Sequence, residues 1–363
     1  MGGILVLGGY GNFGKRIVEL LARQHFEVII AGRDHGKAVA LAETLLPHVA
    51  RVAAFDVRHD LADYLRQATP ELVINTVGPF QNLDYSVARL CIGQSIPYID
   101  LADGRDYVAG IGSLDHEAKA HGTVVISGAS TVPALTSAVV ERYLGEFSQI
   151  DFLDFGIAPG QKAERGLATT KAILGYTGKR LSASAGYPER YGWQDTHRQH
   201  YPVIGQRWMS NCDVPDLDLL PPRYGIERIR FSAGMELPVI HFGIWALSWL
   251  VRAGLPTKLT TLAEPLLRLS NLFDGFGSAD GGMHVLLHGL DRDGTAIVRR
   301  WFVVATGAHG PYIPAVPAVV LAKKLLGGTL PLRGALPCVG LMSVQEFLAE
   351  VTHLQITTYE QAE

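Results

Sequence analysis

Over the first 130 residues, short apolar runs alternate with segments whose apolar residues recur at helical spacing. Residues 4–7, 28–31, 52–55, 72–77, 96–101 and 123–126 read as six strands. Between the first of these, Phe13, Ile17, Leu20 and Leu21 fall at i, i+4, i+7 and i+8, and Ala38, Leu41, Ala42 and Leu45 at i, i+3, i+4 and i+7. At 3.6 residues per turn each set lines one face of a helix, the face that packs on a sheet. Strands alternating with such helices predict an α/β fold with a doubly wound parallel sheet, and Asp34 is placed to cap the second helix.

After Ser127-Gly128-Ala129-Ser130-Thr131-Val132-Pro133 the alternation ends, and longer stretches rich in Gly, Pro and aromatics follow. Three segments are expected: a dinucleotide-binding domain over 1–130, an α+β substrate and dimerisation domain over 131–310, and a C-terminal helical segment over 311–363 that returns toward the first domain. Residues 283–290 and 295–305 flank Asp291-Arg292-Asp293-Gly294, a hairpin turn, so the second domain is expected to contain an antiparallel sheet. A helix over 167–176, after Arg165-Gly166, stops at Gly178; its start could hold a substrate carboxylate or simply pack. The most apolar stretch, 238–251, contains His241, is stopped by Arg252 and falls short of the ~20 residues a membrane span needs. It reads as a buried helix, with a dimer face or a membrane-surface contact as the other readings. Helices over 318–326 and 344–351 close the chain, the last with a capping box at Ser343-Val344-Gln345-Glu346.

Composition narrows the function. A chain of 363 residues, 48% hydrophobic and 18% charged, is an ordinary globular protein with room for two domains. A net charge of -3 gives no pull toward nucleic acid or anionic lipid, so the expected partner is a small molecule, with no nucleic acid and no membrane. Cys91, Cys212 and Cys338 are too few and too scattered for a disulfide framework, which suits a reducing cytoplasm. The opening Met1-Gly2-Gly3-Ile4-Leu5 has no basic n-region and reads as a strand rather than a signal peptide or an exposed lipid anchor.

Gly9-Tyr10-Gly11-Asn12-Phe13-Gly14 has the form GxGxxG. With 40 glycines in the chain the pattern alone carries little. Its context carries more, because it follows a strand directly and opens an amphipathic helix, as the dinucleotide site of a Rossmann domain requires. The first Gly permits the tight turn, the second lets pyrophosphate approach the backbone, and the third lets helix and strand pack closely. Arg33 lies nineteen residues beyond Gly14, at the end of the second strand, where an NAD site usually has a carboxylate. A guanidinium suits a 2′-phosphate, so NADP(H) is expected and NAD is less favoured. Arg33 as a solvated loop residue, or Asp34 as the ribose ligand, stay open. Asp56, after the third strand, is placed to bond the adenine amino group or to serve as a turn aspartate. Asn75, Gly78 and Pro79 end the fourth strand at the carboxyl edge, where open α/β sheets bind ligands.

Gly8 to Gly14, Ala31-Gly32-Arg33, Asn75 to Phe80 and Tyr98-Ile99-Asp100-Leu101 resemble the saccharopine dehydrogenase family, specifically its NADP-binding-domain members of undefined substrate. Gly307-Ala308-His309-Gly310-Pro311 and residues 334–341 look like the C-terminal portion of the same group. The resemblance implies a Rossmann domain, a second α+β domain that closes over the nicotinamide and often dimerises, and hydride transfer at a C–N or C=O centre; a homodimer is therefore expected. Relatives often carry a Gly-Phe-x-Pro-Gly-like loop where this chain has Ser127 to Leu135, a departure that argues against the amino-acid substrate of saccharopine enzymes proper.

The nicotinamide would perform the hydride chemistry, leaving the protein to supply a proton and hold the substrate. Asp100, Asp103, Arg105, Asp106 and Tyr107 follow the fifth strand, near the expected ring position, and Asp103 is the candidate acid. His309, in a Gly-rich loop, is the candidate proton relay. No metal is expected: His284 and His288 lie ~13 Å apart on a strand, and His197 and His200 lack a third ligand. The expected function is an NADP-dependent oxidoreductase of a small polar carbonyl, imine or amine. A non-catalytic NADP(H) sensor and a membrane-surface reductase of a lipid-like substrate are the alternatives.

Overall fold

The computed structural model describes residues 2–48, 50–81, 83–255 and 258–362. The chain forms two compact units, one of Met1–Leu135 with Pro311–Glu350 and the other of Thr136–Gly310 with Val351–Glu363. The segment expected as one C-terminal piece over 311–363 is thus divided between them.

The first unit holds six strands in the order expected of a doubly wound sheet: β1 (Ile4–Leu7), β2 (Val28–Gly32), β3 (Ala50–Ala54), β4 (Leu72–Asn75), β5 (Tyr98–Asp100) and β6 (Val124–Ser127). Connecting them are α1 (Gly14–Arg23), α2 (His35–Thr44), α3 (Leu61–Ala68), α4 (Ser86–Gly93), α5 (Arg105–Ala109) and α6 (Asp115–Ala120). The second unit begins with α7 (Thr136–Leu144), β7 (Gln149–Ala158) and α8 (Leu167–Tyr176), then β8 (Arg180–Leu181) and β9 (Arg190–Tyr191). It continues through β10 (His197–Tyr201), β11 (Gly205–Asn211), α9 (Asp216–Tyr224), β12 (Ile226–Met235), α10 (Pro238–Arg252), α11 (Ala263–Asn271), β13 (Gly281–Leu290) and β14 (Ala296–Ala305). The chain then returns to the first unit with α12 (Val316–Leu326), β15 (Gly334–Pro337) and α13 (Val344–Glu350), and ends in the second with β16 (Ile356–Ala362).

The first sheet runs β15-β6-β5-β4-β1-β2-β3, and every pairing in it is parallel. Apart from β15 this is the Rossmann order, whose switch point falls between β1 and β4. Leu5, Leu7, Ile29, Ala31 and Val73 pack on one face against Leu61 and Leu65 of α3 and Ala88, Cys91 and Ile92 of α4. Helix α12, buried from Val316 to Ala322, contacts α1, β4 and β5. Full burial of each Val, Ile or Leu stabilises the unit by about 1.5–3 kcal/mol. The expected caps form: Asp34 Oδ1 accepts from the Lys37 N–H at 3.1 Å, and Ser343 and Glu346 exchange the two bonds of a capping box.

The second sheet, β10-β11-β12-β7-β13-β14-β16, is antiparallel as expected at every pairing but one, β12 running parallel to β7. Its β13–β14 hairpin turns as the sequence indicates, with Asp291 Oδ1 accepting from the Asp293 and Thr295 N–H groups. Helix α10 overturns the buried reading of 238–251: only His241 and Ser248 are buried, while Trp249 and Leu250 are 45% and 48% exposed. Among the described residues no helix is long and apolar enough to cross a membrane.

Candidate nucleotide-binding site

The loop after β1 has glycine at two positions, Gly8 and Gly14, that admit nothing larger. Gly8 has φ +72° and accepts from the Gly11 N–H at 2.8 Å, closing the turn. A Cβ on Gly14 would meet the Gly8 carbonyl and lie 2.9 Å from Gly9 Cα, so the third glycine sets the close approach of α1 to the turn. No side chain caps α1 and its first turn carries no acidic residue. The Lys15, Arg16 and Ile17 N–H groups are taken by the Gly11 and Phe13 carbonyls, so what the helix start offers an anion is the positive end of its dipole.

Neighbouring side chains fix this loop. Arg16, buried, donates to the Asn12 backbone carbonyl and to Asn12 Oδ1 at 2.6 Å, and its guanidinium lies 5.4 Å from the centre of the Tyr312 ring. Asn12 thus serves as the loop's brace to α1. Tyr10 lies along the end of β2, beside Gly32. Phe13 precedes the first helical residue in helical geometry.

At the end of β2, Arg33 is exposed. The Asp34 carboxylate is held on α2 by its cap and by Lys37 Nζ at 3.5 Å; the Lys37 N–H chiefly holds its pKa below the ordinary carboxylate value. Asp56 Oδ1 accepts from the Arg58 N–H at 3.0 Å, an Asx turn that leads toward α3. That bond first, with the charges of His59 and Arg33 helping, holds the Asp56 carboxyl low.

Asn75 is buried and turned inward, donating to Tyr98 Oη at 3.0 Å and accepting from the Val77 N–H at 3.0 Å. It shapes the Val77-Gly78-Pro79 loop from within, and its own amide is engaged inside the fold. Thr76, which the sequence reading did not single out, donates to the Leu7 carbonyl at 2.8 Å and the Gly8 carbonyl at 3.2 Å. It ties the loop after β4 to the glycine turn across the switch point. The only signal for it was its place between Asn75 and Gly78.

After β5 the acidic residues divide by environment. Asp100 is fully buried, its Oδ1 accepting from the Ala102 and Gly128 N–H groups at 3.0 and 2.9 Å and from Ser127 Oγ at 2.8 Å. Burial pushes its carboxyl up to about 6, against the lowering effect of these bonds. Arg105 and Tyr107 are buried too, whereas Asp106 is exposed. Asp103 keeps a face open to solvent, accepts from Gln81 Nε2 at 3.0 Å, and has its carboxyl raised by the loss of surrounding water. His309 lies in the second unit, where its Nδ1 accepts from the Gln355 N–H at 2.9 Å. That bond assigns the ring proton of the neutral form to Nε2. Among the described residues, no three His, Cys, Asp or Glu side chains are grouped to hold a metal.

The loops after β1 and β4 are joined by the Thr76 bonds, and the glycine turn is held to the end of β2 by the Gly9 N–H, which donates to the Ala31 carbonyl at 3.0 Å. Fold and loop together define a Rossmann dinucleotide-binding domain. Residues 4–126 match the saccharopine dehydrogenase NADP binding domain. No curated protein matches it. Among solved structures it is similar to the apo histidine-tagged saccharopine dehydrogenase (L-Glu forming) from Saccharomyces cerevisiae, with 13% identity, a TM-score of 0.65 and 100% of both chains covered. That likeness is one of fold. It is also similar to an amine dehydrogenase from Mycobacterium smegmatis, at 10% identity and a TM-score of 0.48 over 93% of this chain and 95% of the other. GenD2 from gentamicin A biosynthesis, in complex with NAD, is 13% identical with a TM-score of 0.44 over 97% and 91% of the two chains.

Proposed function

We propose that this chain is an NADP-dependent oxidoreductase acting on a small polar carbonyl, imine or amine. The observation that carries the reading is the start of α1, with no side-chain cap and no acidic residue in its first turn, beside a turn in which Gly14 admits no side chain. The Gly9 to Gly14 loop would hold the diphosphate through backbone N–H groups. Arg33 would take the 2′-phosphate, because Asp34 is engaged on α2 and Arg33 is exposed. Asp56 and the Gly78-Pro79 loop border the same edge of the sheet.

A nucleotide held there would supply or accept the hydride. The chain must then hold a proton for the substrate heteroatom. Asp103 is the candidate, since its raised carboxyl keeps a proton closer to neutral pH than an ordinary aspartate does while remaining open to solvent. Gln81 orients it. His309 Nε2–H is the second candidate donor.

Calorimetric titration with NADPH and NADH, followed by NADPH oxidation against a carbonyl and amine panel, tests the proposal. NADPH binding tighter than NADH and oxidation faster than in buffer are expected. Absence of heat with both dinucleotides refutes it, and binding with no turnover across the panel assigns the chain to NADP(H) sensing instead.

A further inference from the structure

Helices α8, α10 and α11 of the second unit enclose a cavity of about 290 Å³. Ile173, Ile240, Leu247 and Leu266 are among its apolar walls. At ~30 Å³ each, that space matches about ten water-sized groups, yet walls so poor in polar atoms give water few partners. Val239 and Leu269 line it while remaining 57% and 52% exposed, so the cavity opens to solvent.

Gly243 is the telling residue. It lies in the interior of α10, where glycine is the least favourable residue after proline. Nothing stands within 4 Å of where its Cβ would be, so no close helix contact or tight turn requires it. What its missing side chain leaves is room on the cavity wall.

Polar groups are confined to one corner. The Thr170 hydroxyl donates back to Gly166 within its own helix, which leaves Arg165 and Ser270. Arg165 Nη2 donates to Asp274 Oδ1 at 2.8 Å, and the two charges cancel. Arg165 Nε is buried with no acceptor in the protein. A carboxylate arriving there would meet Asp274, whereas an uncharged oxygen could accept from the Nε–H without displacing it.

We infer that this cavity is a binding site for a single-chain aliphatic molecule with an uncharged oxygen head, an alcohol or a carbonyl, seated with its chain against Gly243 and its oxygen at Arg165. The site lies wholly within the second unit and does not depend on the nucleotide reading.

Octanol and octanoate are the probes, titrated by calorimetry into the full-length protein. Octanol is expected to bind with one-to-one stoichiometry and at least tenfold tighter than octanoate. Gly243→Phe, whose Cβ meets nothing within 4 Å, should fold with an unchanged or higher Tm and bind octanol at least tenfold more weakly. Gly243→Ala and the outer-surface variant Phe276→Ser should bind within about twofold of the parent. Failure of octanol to bind, or equal binding by Gly243→Phe, overturns the proposal. Tighter binding of octanoate overturns the uncharged head. If octanol gives no heat while Gly243→Phe alters the oligomeric state, a second copy of the chain fills the cavity and the small-molecule site is refuted.

Discussion

A Cβ on Gly32 would collide with the hydroxyl edge of the Tyr10 ring, while the Tyr10 hydroxyl accepts from the Asp34 N–H at 2.9 Å. A residue of the glycine loop is thereby docked on the end of the second strand, next to Arg33. Gly32→Ala must displace the ring and should weaken NADPH binding by roughly fivefold or more, about 1 kcal/mol. Tyr10→Phe, which removes only the acceptor, should cost less than about 1.5 kcal/mol. Fluorescence titration with NADPH distinguishes them, and unaltered affinity in Gly32→Ala would separate Tyr10 from the nucleotide site.

Arg33→Asp should weaken NADPH binding by ~1.5–3 kcal/mol, the worth of a charge-assisted contact, and affect NADH far less. An equal loss for both would show that Arg33 does not read the 2′-phosphate.

Gly11 and Gly14 should fail in different ways. A Cβ on Gly11 meets only the Gly8 carbonyl, at 3.0 Å, whereas one on Gly14 collides with the backbone of Gly8 and Gly9. Gly11→Val should keep a near-parental urea midpoint while losing NADPH binding. Gly14→Ala should lower stability itself by about 1–3 kcal/mol, as overpacking does. Retained affinity in Gly11→Val would count against the loop as the diphosphate site.

Buried acids give the pH dependence a definite sign. Burial raises Asp216 to about 7, against a lowering influence of the neighbouring Thr136 side chain. The contribution of this raised pKa to stability is complete below the unfolded value near 3.9 and is lost as pH rises through about 7. Burial lowers His241 and His284 to about 4, so their contributions run the other way, present above about 6.5 and lost as pH falls through about 4. The parent curve is flattened by this opposition, but Asp216→Asn stays neutral throughout. Its stability relative to the parent should rise by roughly 2–3 kcal/mol between pH 5 and pH 8. Urea unfolding at the two pH values measures this, and a pH-independent difference would mean that Asp216 is ionised across the range.

Much of the first sheet was legible because its signals are local. Strand β1 lies where its apolar run lies, Asp34 caps the helix it precedes, and Ser343 and Glu346 meet three residues apart. Whatever depends on a distant partner was not legible. Strand β15 has four residues ending in Pro337, and only its pairing with β6 makes it a strand. The parallel match of β12 to β7 and the addition of β16 beside β14 are set the same way. Apolar periodicity established that 238–252 is a helix, but it carries no information on whether a neighbour covers each face. The chemical site shows the same divide: the glycine loop is a contiguous word, whereas the bonds from Thr76 to Leu7 and Gly8 cross almost seventy positions.

Strand β15 also sets an order of events during synthesis. The Gly334 N–H donates to Thr123 at 2.9 Å and the Cys338 N–H to Ser127 at 2.7 Å, so the flank of β6 is closed by residues that the ribosome delivers long after β6 itself. Until then a nascent nucleotide-binding domain carries a raw hydrogen-bonding margin, able to recruit a strand from another chain. A truncation after residue 130 would make that margin permanent, so an expressible fragment must include 311–350, joined by a linker.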